Sequence, residues 1–166
     1  MAELSARIKV LEHEINLLAR TKYPQTLWLQ QVPGVGALTA LYFVLKIEDP
    51  QRFENVRDVG AYAGLCPRRD QSGGSDPQLR ISKRGDPYLR RLLVSAAQYI
   101  LGPFGPDCDL RRWGLKLAER GGKSGKKRAI IATARKLAVL LHRLWVSGEV
   151  YEPLRNSKPG SLAIAA

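Results

Sequence analysis

Between Gly64 and Arg91 the chain sets a serine in a glycine turn between two groups of cations. The order is Arg68-Arg69-Asp70-Gln71-Ser72-Gly73-Gly74, a short spacer, then Arg80-Ile81-Ser82-Lys83-Arg84-Gly85-Asp86-Pro87. A serine hydroxyl is a weak nucleophile at neutral pH and needs a base, a metal or a polarising environment. Here the glycines let backbone amides crowd a phosphate, while Arg68, Arg69, Arg80, Lys83 and Arg84 can offset the charge of a pentacovalent transition state. That composition suits holding a phosphodiester against a hydroxyl. The segment holds no obvious general base, and on residue types alone a serine in such a turn is also ordinary loop chemistry.

Two further segments carry groups suited to phosphate. Val32-Pro33-Gly34-Val35-Gly36 opens an apolar helix and resembles a helix-hairpin-helix element, whose glycines would let backbone N–H groups meet a phosphate at a helix N-terminus. The other reading of Gly34 and Gly36 is a tight turn packing two helices. Gly122-Lys123-Ser124 looks like the end of a nucleotide-binding phosphate loop, but the glycine required five positions earlier is Leu117, and no apolar strand precedes it. Lys123, Lys126, Lys127 and Arg128 therefore read as a basic loop for a nucleic-acid backbone. Metal chemistry has no support in the spacing: His13 and His142 stand apart from other ligands, and the carboxylates form no close cluster. The chain is expected to bind no metal or cofactor of its own.

The charge distribution sharpens this. The chain has 166 residues, 45% of them hydrophobic, enough for one real core, and a net charge of +12. Residues 1–67 hold seven basic and seven acidic side chains, whereas residues 68–143 hold eighteen basic against six acidic. A surplus this localised implies a polyanion, because each cation that neutralises a phosphate releases condensed counterions. Solvated basic helices are the bland alternative. An anionic membrane fits less well, since the cations interleave with glycines in loops instead of lining one amphipathic face. Cys66 and Cys108 are too few and too far apart for a disulfide framework or a zinc knuckle. With no signal peptide and no apolar run of membrane-spanning length, the expected location is cytoplasmic.

The elements that must position these groups read as all-α. Leu4, Ile8, Leu11, Ile15 and Leu18 make an a/d seam of under three heptads within a helix over 1–22, which predicts pairing with another copy or docking on the chain's own core. A compact helical domain is expected over 26–151, with the hairpin at Pro33 and at most a small β-hairpin flanking Ser72 to Ser82. Phe53, Val56, Val59 and Tyr62 suggest a short helix ending at Gly64. Asp86-Pro87 is a strong helix start, followed by the apolar stripe Leu89, Leu92, Leu93, Ala96 and Ile100. Further helices are expected from about Asp109 to Arg120 and through about Val146, the last with Ile130, Ala134, Leu137, Leu141 and Trp145 toward the core. The tail over 156–166 is small, polar and expected to be disordered.

From about Trp28 to Tyr151 the chain resembles the C-terminal transposase domain of the IS-one-ten family of insertion-sequence transposases, serine-dependent and bridge-RNA-guided recombinases related to pilin-segment invertases. The residues that carry the resemblance are Val32-Pro33-Gly34-Val35-Gly36, Ala61-Tyr62-Ala63-Gly64-Leu65-Cys66-Pro67, Gln71-Ser72-Gly73-Gly74 and Ile81-Ser82-Lys83-Arg84-Gly85-Asp86-Pro87-Tyr88-Leu89-Arg90. The heptad helix is similar to that family's coiled-coil dimerisation segment. The resemblance implies that a serine becomes covalently joined to DNA, and motif position assigns it to Ser72, with Ser82 as runner-up and Ser75 third. It also implies an RNase H-like domain whose DEDD carboxylates bind Mg2+. That half is absent from these residues, which start at Met1 just before the heptad helix, so strand cleavage is expected to require it from another domain or subunit.

The sequence thus supports a transposase C-terminal domain, inactive alone. DNA is the expected partner, together with a structured guide RNA, a second copy through residues 4–18, or a full-length transposase. The rival is a non-catalytic nucleic-acid-binding module gripping backbone through the hairpin and the basic loops. A ribosome-associated basic protein would fit the charge but leaves the serine-glycine loop unexplained.

Overall fold

The computed structural model describes residues 2–68, 79–120 and 122–156, apart from the side chains of Ala2 and Lys123. Among them the architecture is all-α, as the sequence predicts: α1 (Ala2–Thr21), α2 (Thr26–Leu29), α3 (Ala37–Ile47), α4 (Asp58–Tyr62), α5 (Pro87–Leu101), α6 (Asp109–Arg120) and α7 (Gly125–Ser147). α7 is the central pillar and packs against α2, α4, α5 and α6. Its Ala134, Leu137, Ala138 and Leu141 join Leu29, Phe43, Ile47, Leu89, Leu93 and Ile100 in one continuous core. Each fully buried Leu, Ile or Phe contributes about 1.5–3 kcal/mol by leaving water. Ile130 and Trp145 flank that core half-buried, and Gly148, in the left-handed region at φ 62°, closes α7 by donating to the Leu144 carbonyl at 2.9 Å.

α5 forms for the reasons its sequence announces. The Asp86 carboxylate accepts the N–H of Leu89 at 2.7 Å, and Pro87 occupies the first turn, where a missing donor costs nothing. Leu89, Leu93, Ala96, Ala97 and Ile100 are buried, while Leu92 lies at the edge of that stripe.

Of the helix predicted through Phe53, Val56, Val59 and Tyr62, only Asp58–Tyr62 is α-helical. Phe53 is extended, at φ −102° and ψ 109°, and the Asn55 side chain accepts the N–H of Arg57 at 3.0 Å. Such an Asx bond offers the backbone an alternative to the helix.

α1 is docked only by its end. Ala19 is buried, and its carbonyl accepts the buried hydroxyl of Thr26 at 3.0 Å, whereas Leu4, Ile8, Leu11 and Leu18 of the seam remain exposed. After α7 the chain folds back: Tyr151 donates to the Gln31 side chain at 2.8 Å, and Asn156 donates to Asp109 at 2.7 Å.

Candidate nucleic-acid interface

The two flanks of the serine-glycine segment meet in a short antiparallel stem. Pro67 and Ile81 form an isolated bridge, Arg68 N–H donates to Arg80 O at 2.9 Å, Ser82 N–H to Cys66 O at 2.8 Å, and Lys83 N–H to Gly64 O at 3.2 Å. This is the small hairpin expected there, reduced among the described residues to one bridge. Arg68 and Arg80, twelve positions apart in sequence, thereby become backbone neighbours with exposed side chains. Lys83 and Arg84 are exposed on the same arm. None of these four pairs with a described carboxylate. Ser72, Arg69, Gly73, Gly74 and Ser75 lie outside the described residues, as does the Lys123 side chain. Ser82 is built into the stem: its N–H is spent on Cys66, and its Oγ accepts weakly from Arg84 N–H at 3.5 Å.

Two groups of contacts fix this stem to the body. The first centres on Asp86, which caps α5, pairs with Lys46 at 3.2 Å and accepts the Tyr42 hydroxyl at 3.2 and 3.3 Å. The Leu89 amide, opposed by burial and helped by Lys46 and Tyr42, holds the Asp86 carboxyl below its usual range. The hydrogen bond to Asp86 raises Lys46 in turn, and Tyr42 is raised by burial first and by Asp86 second.

The second is Arg90, which stands among the residues that carry the family resemblance but not among the expected site residues. From the first turns of α5 its Nη1 reaches the carbonyls of Ala63 at 3.2 Å, Lys83 at 3.3 Å and Gly85 at 3.5 Å, so it ties both arms of the stem together. The signal that could have found it is positional. Arg90 follows Asp86 by four residues and adjoins buried Leu89, so one helical turn carries both anchors.

The hairpin is a separate place. Val35 N–H donates to Val32 O at 3.1 Å, and Gly34 takes φ 80° against α5, where an added Cβ would stand 3.0 Å from both Ala96 O and Tyr99 Cδ1. Gly34 is thus needed for turning and for packing. Gly36 is not: its φ is −85°, and a Cβ there meets nothing within 4 Å. The amides of Gly34 and Gly36 make no hydrogen bond among the described residues. The hairpin borders an open groove of about 510 Å3 lined also by Gln30, Gln31, Tyr99 and Pro106.

Lys126, Lys127 and Arg128 are exposed at the start of α7, seven or more residues from Arg135, whose side chain packs on Gly60 next to the stem. At 1.5 Å per residue that is about 10 Å or more along the helix axis. The structure therefore gathers Arg68, Arg80, Lys83 and Arg84 with Arg90, and leaves Gly34, Gly36 and the α7 cations at other places on the surface. Among the described residues no group of three or more His, Cys, Asp or Glu could hold a metal ion, and no helix is long and apolar enough to cross a membrane.

Comparison with known proteins bears on these features together. Residues 27–107, which include the hairpin, the stem and all of α5, match the model of the family described as Transposase IS116/IS110/IS902. The chain is 38% identical over 124 residues to a transposase for insertion sequence element IS1111A of Coxiella burnetii, an alignment covering 74% of this chain and 33% of that protein. It is 41% identical over 96 residues to the transposase for IS1328 of Yersinia enterocolitica, covering 57% and 28% respectively. A pilin gene-inverting protein of Moraxella lacunata is 33% identical over 141 residues, covering 82% of this chain and 42% of its own length. The chain spans about a third of the length of the first two of these relatives.

Proposed function

Because residues 27–107 match the model of the family described as Transposase IS116/IS110/IS902, we propose that this chain belongs to that family and is the part of a DNA transposase that holds a scissile phosphodiester and supplies the attacking serine. The observation that carries this reading is the stem. Its hydrogen bond from Arg68 to Arg80 brings the two ends of the serine-glycine segment together and sets exposed cations on both sides of its mouth. In the reaction the Ser72 oxygen bonds to phosphorus while one P–O bond of the strand breaks. The serine proton passes to a base, the departing oxygen takes up a proton, and the strand is held as a phosphoserine ester. Arg68, Arg69, Arg80, Lys83 and Arg84 offset the charge that develops on phosphorus. The base, and the carboxylates that bind Mg2+, would come from another domain or subunit, and the exposed seam of α1 would serve pairing with a second copy.

The test is Ser72→Ala in a polypeptide that joins this domain to a DEDD-type segment, with covalent protein–DNA adducts trapped by denaturation. Loss of adducts with DNA binding retained is the expected result. Adducts that persist in the Ser72 variant and vanish in Ser82→Ala would move the nucleophile to Ser82.

A second, non-catalytic reading has its own support in the unbonded amides of Gly34 and Gly36. In it the chain grips a DNA or structured-RNA backbone through a helix-hairpin-helix contact and the cations of α7, with Lys123, Lys126, Lys127 and Arg128 extending the footprint. Binding that loses affinity steeply with salt, and more so on changing Lys126 and Lys127 than on changing Arg68 and Arg80, would favour it.

A further inference from the structure

Among the described cations of the stem, Arg90 stands apart. Arg68, Arg80, Lys83 and Arg84 are exposed, whereas Arg90 is half-buried and anchored. All its hydrogen bonds to described residues run through Nη1, to Ala63, Lys83 and Gly85. A guanidinium is a rigid plane with five donors, so anchoring one nitrogen fixes the direction of the others. Nε and Nη2 have no acceptor among the described residues, and no described carboxylate neutralises the group. Among the described residues, this half-buried cation meets carbonyl oxygens at one corner alone and no counter-charge. An oxyanion would supply further acceptors and counter-charge, and the two remaining nitrogens form the fork that matches two phosphate oxygens.

We propose that Arg90 is the fixed phosphate-binding residue of the loop site, taking two non-bridging oxygens of a nucleic-acid phosphodiester on Nε and Nη2. The inference rests on the functional reading above and deepens it. The exposed arginines and lysine gather the backbone electrostatically, and Arg90 sets where one phosphate stops. Because its anchors are carbonyls of both arms, the same side chain that seats the phosphate also sets the spacing of the stem around it. A flexible surface cation can attract a strand but cannot define its position to the tolerance that phosphoryl transfer requires.

Arg90→Lys separates seating from clamping. A lysine ammonium can still donate to stem carbonyls but has no planar fork. With the full chain and a short DNA duplex, the lysine variant should keep hydrogen-exchange protection at the Arg68 and Ser82 amides and lose affinity about tenfold, as expected for a charge-assisted pair. Arg84→Ala should lose less. Binding by Arg90→Lys equal to that of the unsubstituted chain would overturn the proposal and leave Arg90 as a clamp. Should the lysine variant fail to fold, the Nε–H resonance of Arg90 in the unsubstituted chain decides: a shift on adding DNA supports seating, and an unmoved signal in a saturated complex refutes it. The two levels fail differently. If Arg68→Ala and Arg80→Ala weaken binding while Arg90 is silent, only this inference falls. If none of the three matters, the stem reading falls with it.

Discussion

The Pro33–Gly36 hairpin and the stem at Gly64 and Gly85 stand at opposite ends of α5, and they spend their glycines differently. Nine residues separate Arg90 at the stem from Tyr99 at the hairpin, about 14 Å of helix. At the stem, Gly85 lets two chain segments cross: an added Cβ would run into the carbonyl of Tyr62 and lie 2.8 Å from Gly64 N. At the hairpin, Gly34 is packed but Gly36 faces open space. A glycine required by backbone crossing says nothing about a ligand. A glycine whose surroundings would accept a side chain is not required by packing within the described residues. By that comparison the stem is a rigid platform on which side chains act, while the hairpin offers bare backbone.

The largest effect should come from closing the crossing. Gly85→Ala puts a methyl group against backbone of Tyr62, Ala63 and Gly64, which cannot swing aside as a flexible side chain would. The expected loss is about 3 kcal/mol or more, toward the upper end for overpacking, read as a fall in thermal midpoint. An unchanged midpoint would mean that the arms separate easily and that the platform description is wrong.

The cap that fastens this platform gives the next effect, with a pH signature. Asp86→Ala removes the hydrogen bond to Leu89 N–H and the partner of Lys46 and Tyr42, at a cost of about 1–2 kcal/mol near neutral pH. The folded-state pKa of Asp86 is depressed. Its contribution is therefore complete above the unfolded value of about 3.9 and disappears as pH falls through the lower folded value. Unfolding curves of the two proteins should diverge above about pH 4 and converge below it. A gap that stays constant into acid would show that the carboxylate charge contributes nothing and that the lost side chain acts only by its bulk.

Legibility in the sequence followed how local each determinant is. Asp86-Pro87 announced the start of α5 because capping needs only residues three apart, and the buried stripe of α7 followed from period alone. The Asn55 turn was missed because Phe53, Val56, Val59 and Tyr62 keep helical spacing while one side chain takes the competing bond. Arg68 and Arg80 could be named as cations, but their adjacency is a tertiary fact, set by a hydrogen bond across the stem. Arg90 was the hardest to read. In sequence it is one of two arginines on an amphipathic helix, and only the three carbonyls arriving from residues 63, 83 and 85 distinguish it from Arg91, which lies over the Tyr88 ring. The roles of Gly34 and Gly36, alike in the motif, separate only when the space around each is known.

The smallest effect is also the finest test of the comparison. Gly36→Ala should change stability by less than about 0.5 kcal/mol, because a poorer helix cap is offset by a less flexible unfolded chain. Gly34→Ala should cost about 1–2 kcal/mol, since φ 80° disfavours a Cβ and Ala96 O stands in its way. If Gly36 presents its amide to a phosphate, its methyl group should weaken DNA binding about two- to tenfold with the thermal midpoint held, the worth of one ordinary hydrogen bond. The salt dependence should stay where it was, because no cation has been removed. Binding that ignores Gly36→Ala would reduce the hairpin to a packing turn and leave the stem as the chain's contact with phosphate.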